Sequence, residues 1–300
     1  MKRFLRTLIL IFLLPLIIFL LIINYGDWSS DNFYYKVSSS KQNSMIFGSS
    51  RALQGLNPDI LNESLNRSDI FNFAFTNLHS PYGFQYMNAI KSKMDKSKND
   101  NIYFLCVNPW TISSKLKNQN DIEKFRELKS NLLVKDYGSG LLGKLKYYYS
   151  QYNEPLFKLI YNFKGKSTAS ENGYLKLKHK SDLTKIDKKL QHYMKNMLPR
   201  YHFSMIRFNQ LIKTIKLLID YGNVYLIRLP MHNKMYQIEN KLLEDFDDLI
   251  FSLSKKFNIK YINLTLLNDE FNYHDGNHLE YESAKKVSEL IAIEIKSHIQ

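Results

Sequence analysis

The sequence predicts a three-layer, doubly wound α/β domain on a mostly parallel five-stranded sheet, interrupted by a helical insertion and preceded by one apolar helix. Five short runs carry that expectation: Ser44 to Phe47, Ile70 to Phe75, Ile102 to Val107, Val224 to Leu229 and Lys260 to Leu264. Each is too apolar for one solvated face and reads as a strand buried on both sides. Stretches with apolar residues at helical spacing fill the intervals, which is the order of a parallel sheet with crossover helices. The 300 residues, 44% hydrophobic and 14% aromatic, suffice for one sizeable core or a core plus one insertion.

From Leu8 to Ile23 every residue is apolar, and with Phe4, Leu5 and Thr7 the run approaches the roughly 20 residues a helix needs to cross a bilayer core. It ends in Ile22, Ile23, Asn24 and Tyr25 instead of the small residues of a cleavage site, so residues 1–26 are expected to stay as an anchor. Lys2, Arg3 and Arg6 precede the run and Asp27 and Asp31 follow it. The positive-inside rule then puts the amino terminus in the cytoplasm and the domain outside it. Pro15 is compatible with insertion as a kink. Residues 27–43 are polar, with Ser38, Ser39 and Ser40 in a row, and read as a spacer.

Residues 44–300 form the domain. Ser80 followed by Pro81 reads as an N-cap and first helical residue of a helix to about Asp95. Ala284, Val287, Leu290, Ile291 and Ile295 mark a terminal helix with one buried stripe. Between the third strand and the helix entering the fourth, about 113–200 is an insertion rich in Lys and Tyr, including Tyr147, Tyr148 and Tyr149. A Gly/Ser/Thr-containing stretch from Gly165 to Gly173 reads as a mobile loop. An excursion at the carboxyl end of parallel strands borders the usual crevice, so the insertion is either a substrate-selecting wall or a structural cap.

The net charge is +14, and the three cations ahead of the apolar run account for only a small part of it. Nucleic acid, acidic lipid headgroups and anionic envelope polymers all qualify as partners on charge, as does a solvated Lys-rich surface with none. The sequence has no aromatic-basic RNA motif or recognition-helix pattern, and the expected anchor points the domain away from the cytoplasm, so a nucleic-acid role is not expected. Cys106 is the only cysteine. It reads as a core thiol and excludes both an intramolecular disulfide and a Cys-rich metal site.

Phe47, Gly48, Ser49, Ser50 and Arg51 follow the first strand and lead into helix-compatible sequence. A hydroxyl at a strand-to-helix turn is raised above the sheet and faces helix amides, which suits a nucleophile that develops an oxyanion. Gly and Ser after a strand are also ordinary turn residues. Near the other end, Asp275, Gly276, Asn277 and His278 precede the terminal helix. A spacing of three lets the carboxylate accept a hydrogen bond from one imidazole nitrogen and leave the other as a base. His274 is a rival base. His274 and His278 are also four apart, but Gly276 between them argues against the helix that a shared metal would need. His79, His202 and His232 read as surface or core polar residues, and neither a metal nor a cofactor is expected.

Together the two motifs resemble the SGNH/GDSL hydrolase superfamily, a flavodoxin-like fold whose nucleophile follows the first strand and whose Asp-x-x-His lies before the last helix. The resemblance implies Ser50 as nucleophile, with Ser49 as runner-up, His278 as base and Asp275 as the carboxylate that orients it. That family has a Gly five residues after an Asn behind the second strand. Here Asn72 is followed at that distance by Asn77, whose backbone amide still serves an oxyanion role. Asn108 falls where the family's oxyanion Asn follows the third strand, with Pro109 and Trp110 replacing its usual sequence, so a turn role before proline is the alternative.

The chain is most similar to membrane-anchored envelope members of that superfamily, such as the D-alanine-transfer protein of teichoic acid synthesis and acetyltransferase-like proteins of exopolysaccharide assembly. That likeness implies acyl transfer or hydrolysis through acyl-Ser50 on an envelope glycan or anionic polymer, with a membrane-bound acyl-donor partner. The rival is a catalytically degenerate domain that binds polymer or scaffolds such a partner.

Overall fold

The computed structural model describes residues 1–25, 33–115, 118, 120–129, 132, 133, 137, 138, 140–151, 167–177 and 180–299. Asp27, Asp31 and residues 27–32 of the expected spacer lie outside the described residues, as do 152–166 of the insertion. Helix α1, Lys2–Tyr25, runs through Pro15. Its segment Lys2–Leu21, with mean hydropathy 2.8, is long and apolar enough to cross a membrane.

Strands β1 (Ser44–Phe47), β2 (Ile70–Asn72) and β3 (Asn101–Cys106) alternate with helices α3 (Ser50–Gly55), α4 (Pro58–Leu65) and α5 (Phe84–Lys93). After the insertion come α8 (Met205–Ile219), β8 (Gly222–Arg228), α9 (Asn233–Leu242), α10 (Phe246–Phe257), β9 (Lys260–Asn263) and α11 (Tyr281–Ile299). The five strands pair in parallel in the order β2-β1-β3-β8-β9. Strand order reverses between β1 and β3, which opens a crevice at their carboxyl ends.

Alternation along the strands builds both outer layers. Met45, Phe47, Tyr103, Leu105, Val224 and Leu226 pack with α5, α8 and α10 through Tyr86, Ile90, Leu211, Ile215 and Ile250. Ile46, Phe104, Tyr225 and Ile227 pack with α3, α4 and α11 through Ala52, Leu53, Leu61, Val287 and Ile291. Each of these fully buried side chains contributes roughly 1.5–3 kcal/mol of transfer free energy. Cys106 is buried here, and desolvation pushes its thiol pKa well up, as suits a core thiol.

Three local expectations need correction. The helix expected from Ser80 begins at Phe84 with Gly83 as N-cap. The Ser80 hydroxyl instead donates to the Gly48 carbonyl at 2.6 Å, three residues ahead of the observed cap. The spacer is not wholly solvated, because α2 (Tyr34–Ser38) is bound to the domain. Tyr34 joins the core, and the buried Lys36 ammonium donates to the Asn72 carbonyl, with desolvation holding its pKa well below the usual lysine range. Finally, from Ser167 on, the stretch Gly165 to Gly173 expected to be a mobile loop is part of a hairpin, β5 (Ser167–Ala169) with β6 (Leu175–Leu177). It turns through Gly173, at φ +80°, and is tied to the outer edge of β2 by Asn72 N–H donating to the Asn172 carbonyl at 2.8 Å.

The insertion is therefore not purely helical. Its neck is closed by β4 (Ser113–Ser114) against β7 (His202–Phe203), paired antiparallel. Between them lie α6 (Gly140–Gln151), the hairpin and α7 (Leu183–His192), capped by Asp182 accepting from the Thr184 and Lys185 amides. Tyr147 is a core residue with its ring against Tyr34 and Tyr137, so it offers no surface to a ligand, whereas Tyr149 is exposed.

Gly48 sits under the nucleophile turn at φ +145°, and a Cβ there would lie 2.8 Å from Cys106 Cβ and 3.0 Å from Ala52 Cβ. Its N–H donates to the Tyr86 hydroxyl at 3.0 Å, and its carbonyl accepts from Phe75 N–H and Ser80. Gly48→Ala is expected to cost at least about 2 kcal/mol from backbone strain and overlap. Thermal unfolding beside wild type checks this, and an unchanged midpoint contradicts it.

Candidate active site

The turn after β1 makes Ser50 the first residue of α3, with Ser49 as N-cap. From the opposite end of the chain, Tyr273 and Leu279 form an antiparallel bridge, and His274 N–H donates to the His278 carbonyl at 2.8 Å. That closes a tight loop over Asp275-Gly276-Asn277, in which Gly276 takes φ +77°. The β8–α9 connection supports it, since His232 N–H donates to the Gly276 carbonyl at 3.2 Å and Met231 N–H to Asn268 Oδ1 at 2.9 Å.

The two motifs, more than 200 residues apart, meet. Ser50 Oγ lies 2.8 Å from His278 Nε2. His278 Nδ1 lies 3.0 Å from both Asp275 oxygens, and Asp275 Oδ1 also accepts from the Asn277 and His278 amides at 3.0 Å. Burial alone would raise the Asp275 pKa, but the His278 hydrogen bond, the imidazole and Lys189 charges and the Asn277 amide hold it well below the usual carboxylate range. An ionised Asp275 has no proton to give, so the shared proton belongs to Nδ1. Nε2 then keeps its lone pair for the Ser50 hydroxyl. Burial pushes the His278 pKa below 6.5, opposed by Asp275 and assisted by the Lys189 and Arg51 charges, so the neutral imidazole is the resting form.

Ser49 is 2% exposed, and no hydrogen bond from its side chain caps α3. His274 Nδ1 lies 3.4 Å from the Lys180 carbonyl, and it is His278 that reaches Ser50. Asn77 lines the cleft together with Ser50 and His278. Asn108 does not line that cleft among the described residues. Its Oδ1 accepts from Thr111 N–H at 3.2 Å and its N–H donates to the Thr111 hydroxyl at 3.2 Å, a capping box that stabilises the turn entered through Pro109. Of the two expected roles for Asn108, this geometry serves the turn. His79 Nδ1 lies 3.1 Å from the Thr76 hydroxyl, and burial with the nearby Arg126 charge lowers its pKa to about 4.

The cleft has a volume of about 520 Å³. Its floor is the Ser50–His278 pair and its outer wall is the insertion, which contributes Lys115, Lys124, Arg126, Lys189, Tyr193 and Tyr201. The aromatic wall is braced internally, with the Trp110 ring edge-on to Tyr193 and Tyr201 at 5.0 and 5.4 Å between centroids. Trp110 Nε1 is buried and makes no hydrogen bond among the described residues. A buried bidentate pair, Arg207 to Glu127 at 2.7 and 2.9 Å, pins the insertion to α8.

Sequence reasoning missed the groups that align the two motifs. Arg51, 6% exposed, donates through Nε and Nη2 to Asn277 Oδ1 at 2.9 and 2.6 Å, and its Nη2 lies 2.7 Å from Glu239 Oε1. The residue after Ser50 thus grips the residue before His278. Glu239 also meets Arg228 at 3.2 Å, and Arg228 meets Asp247 at 2.5 Å, forming a buried ladder of alternating charge. Arginine directly behind the nucleophile and an Asn inside Asp-x-x-His were the available signals, but neither identifies its partner.

No protein-family model matches the sequence, and no curated protein matches it. Among solved structures, a carbohydrate acetylesterase from Sinorhizobium meliloti is similar at 9% identity and a TM-score of 0.39, over 86% of this chain and 99% of that one. An active-site mutant of a family two carbohydrate esterase from Clostridium thermocellum is similar at 9% identity and a TM-score of 0.38, over 86% and 64%. These are distant likenesses of overall shape and assign neither substrate nor activity.

Proposed function

We propose that this chain is a membrane-anchored, SGNH-like serine enzyme that acts on acyl esters of a cell-envelope glycan or polymer through an acyl-Ser50 intermediate. The observation that carries the reading is the continuous hydrogen-bonded chain from Ser50 Oγ through His278 to Asp275. His278 Nε2 takes the Ser50 proton as Oγ bonds to the acyl carbonyl carbon, and Asp275 stabilises the imidazolium that forms. The same imidazolium then returns its proton to the departing alkoxide. In the second half, His278 deprotonates a sugar hydroxyl or water, which attacks acyl-Ser50, and the imidazolium returns that proton to Ser50 Oγ as its bond to the acyl carbon breaks. Asn77, beside Ser50 in the cleft, is the better candidate of the two Asn residues for facing the oxyanion through its amide.

A glycan substrate fits the cleft wall, because the half-buried Tyr201 offers a ring to a sugar while exposed Lys115, Lys124 and Arg126 match carboxylate or phosphate groups on a polymer. Helix α1, with Lys2, Arg3 and Arg6 ahead of its apolar run, is read as the anchor that leaves the domain outside the cytoplasm. A membrane-bound donor of the acyl group fits that placement.

The test is turnover of an acetylated oligosaccharide by the full chain in detergent, following acetate release and transfer to an added sugar alcohol. Turnover that disappears in Ser50→Ala supports the reading, and the division between the two products separates hydrolysis from transfer. Turnover that survives in Ser50→Ala sinks it. Since the base works only when neutral and its pKa is depressed, the acid limb of kcat/KM is expected below pH 6.5. A limb at or above that value contradicts the assignment of His278.

A further inference from the structure

The insertion touches the Asp275–His278 loop along much of its length. Ser181 N–H donates to the Glu280 carboxylate, the Lys180 carbonyl faces His274 Nδ1, and Ile186 stands where a Cβ on Gly276 would come within 3.3 Å of its Cγ2. At the centre of this seam Lys189 Nζ, on α7, lies 3.3 Å from Asp275 Oδ2. That oxygen's other partner is His278 Nδ1, so Lys189 and the imidazole share one carboxylate oxygen. The Lys189 ammonium also lies 5.8 Å from the centroid of the Tyr193 ring, which keeps its stem along the cleft wall.

We propose that Lys189 is a positioning residue of the Ser50–His278–Asp275 centre, holding Asp275 Oδ2 and offsetting its charge, so that the insertion completes the centre as well as walling the cleft. The proposal rests on the reading of that centre as nucleophile, base and orienting carboxylate. Unbalanced, the Asp275 charge would favour a proton on His278 and tie up the base. A cation on Oδ2 weakens that pull and holds the carboxylate in place beside Nδ1. The other groups facing His278 are Ser50 and Arg51 from α3, with Arg51 matched by Glu239, the Asn277 side-chain amide 3.4 Å from Nε2, and Tyr193 from the insertion.

The experiment is an NMR titration of His278 in the full chain in detergent micelles, with ¹⁵N-labelled histidine and assignment by His278→Gln. In Lys189→Met, His278 is expected to titrate at higher pH than in wild type, and Lys189→Arg is expected to restore the wild-type midpoint. A His278 midpoint unmoved in Lys189→Met, or moved equally in Lys189→Arg, overturns the proposal. Fluorophosphonate labelling of the same samples keeps the two readings apart. A Lys189-dependent midpoint in a protein that never labels leaves the positioning role standing and removes the enzyme. Labelling at Ser50 with a Lys189-independent midpoint does the reverse.

Discussion

Alanine at Ser50 or at His278 is expected to lower ester turnover by roughly 10⁴- to 10⁶-fold while leaving the fold intact. Ser50 is the first residue of a short helix whose cap is Ser49, so its hydroxyl is not needed to hold the turn. His278 is 9% exposed, and its backbone N–H bond to Asp275 survives loss of the ring. Because nucleophile and base act as one unit, the double variant is expected to lose little beyond either single one. Asp275→Ala costs less, since it leaves both reacting groups and removes the orientation of the imidazole and the charge that stabilises its protonated form. Steady-state rates with matched thermal unfolding curves check the set. A tenfold loss or less in Ser50→Ala contradicts the assignment.

The second large effect concerns stability. Glu239 is fully buried between the Arg51 and Arg228 guanidinium groups, at 2.7 and 3.2 Å. Glu239→Ala leaves Arg51 without its carboxylate and Arg228 with Asp247 alone. Breaking a buried ion network by removing one partner typically costs about 3–5 kcal/mol, because charge stays behind without compensation. Thermal unfolding is expected to fall by roughly 6–20 °C for a domain of this size. Activity should fall beyond the loss of folded protein, since Arg51 is what couples α3 to Asn277 and hence to His278. Glu239→Gln keeps an acceptor and should be milder. A midpoint unchanged in Glu239→Ala would mean that the ladder contributes nothing to the fold.

What the sequence makes legible is what repeats over a few residues. Strand β1 is bounded by Ser44 and Phe47 as the apolar run indicates. The run from Ile70 leaves regular pairing after Asn72, yet Phe73 N–H still donates to the Ile46 carbonyl of β1 at 2.8 Å and Phe75 N–H to the Gly48 carbonyl just beyond it at 3.1 Å. Ser50, Asp275 and His278 are legible for the same reason, as each motif is short and sits beside an element boundary. Partnerships between distant segments are not. Nothing near Ser80 announces that its hydroxyl belongs to the Gly48 carbonyl. Lys36 looks like an ordinary spacer lysine until the Asn72 carbonyl meets it. Lys189 is one of several lysines on α7, and only the path of the chain brings it to Asp275. Arg51, next to the nucleophile, finds Asn277 and Glu239 only after the sheet has assembled.

The central claim is that Ser50 is an activated nucleophile, and the direct measurement is labelling of the full chain with a fluorophosphonate probe followed by mass spectrometry of the modified peptide. The 2.8 Å contact with a neutral His278 predicts a single adduct on Ser50, absent from Ser50→Ala and from His278→Ala. An adduct on Ser49, or none in folded wild type, would contradict it.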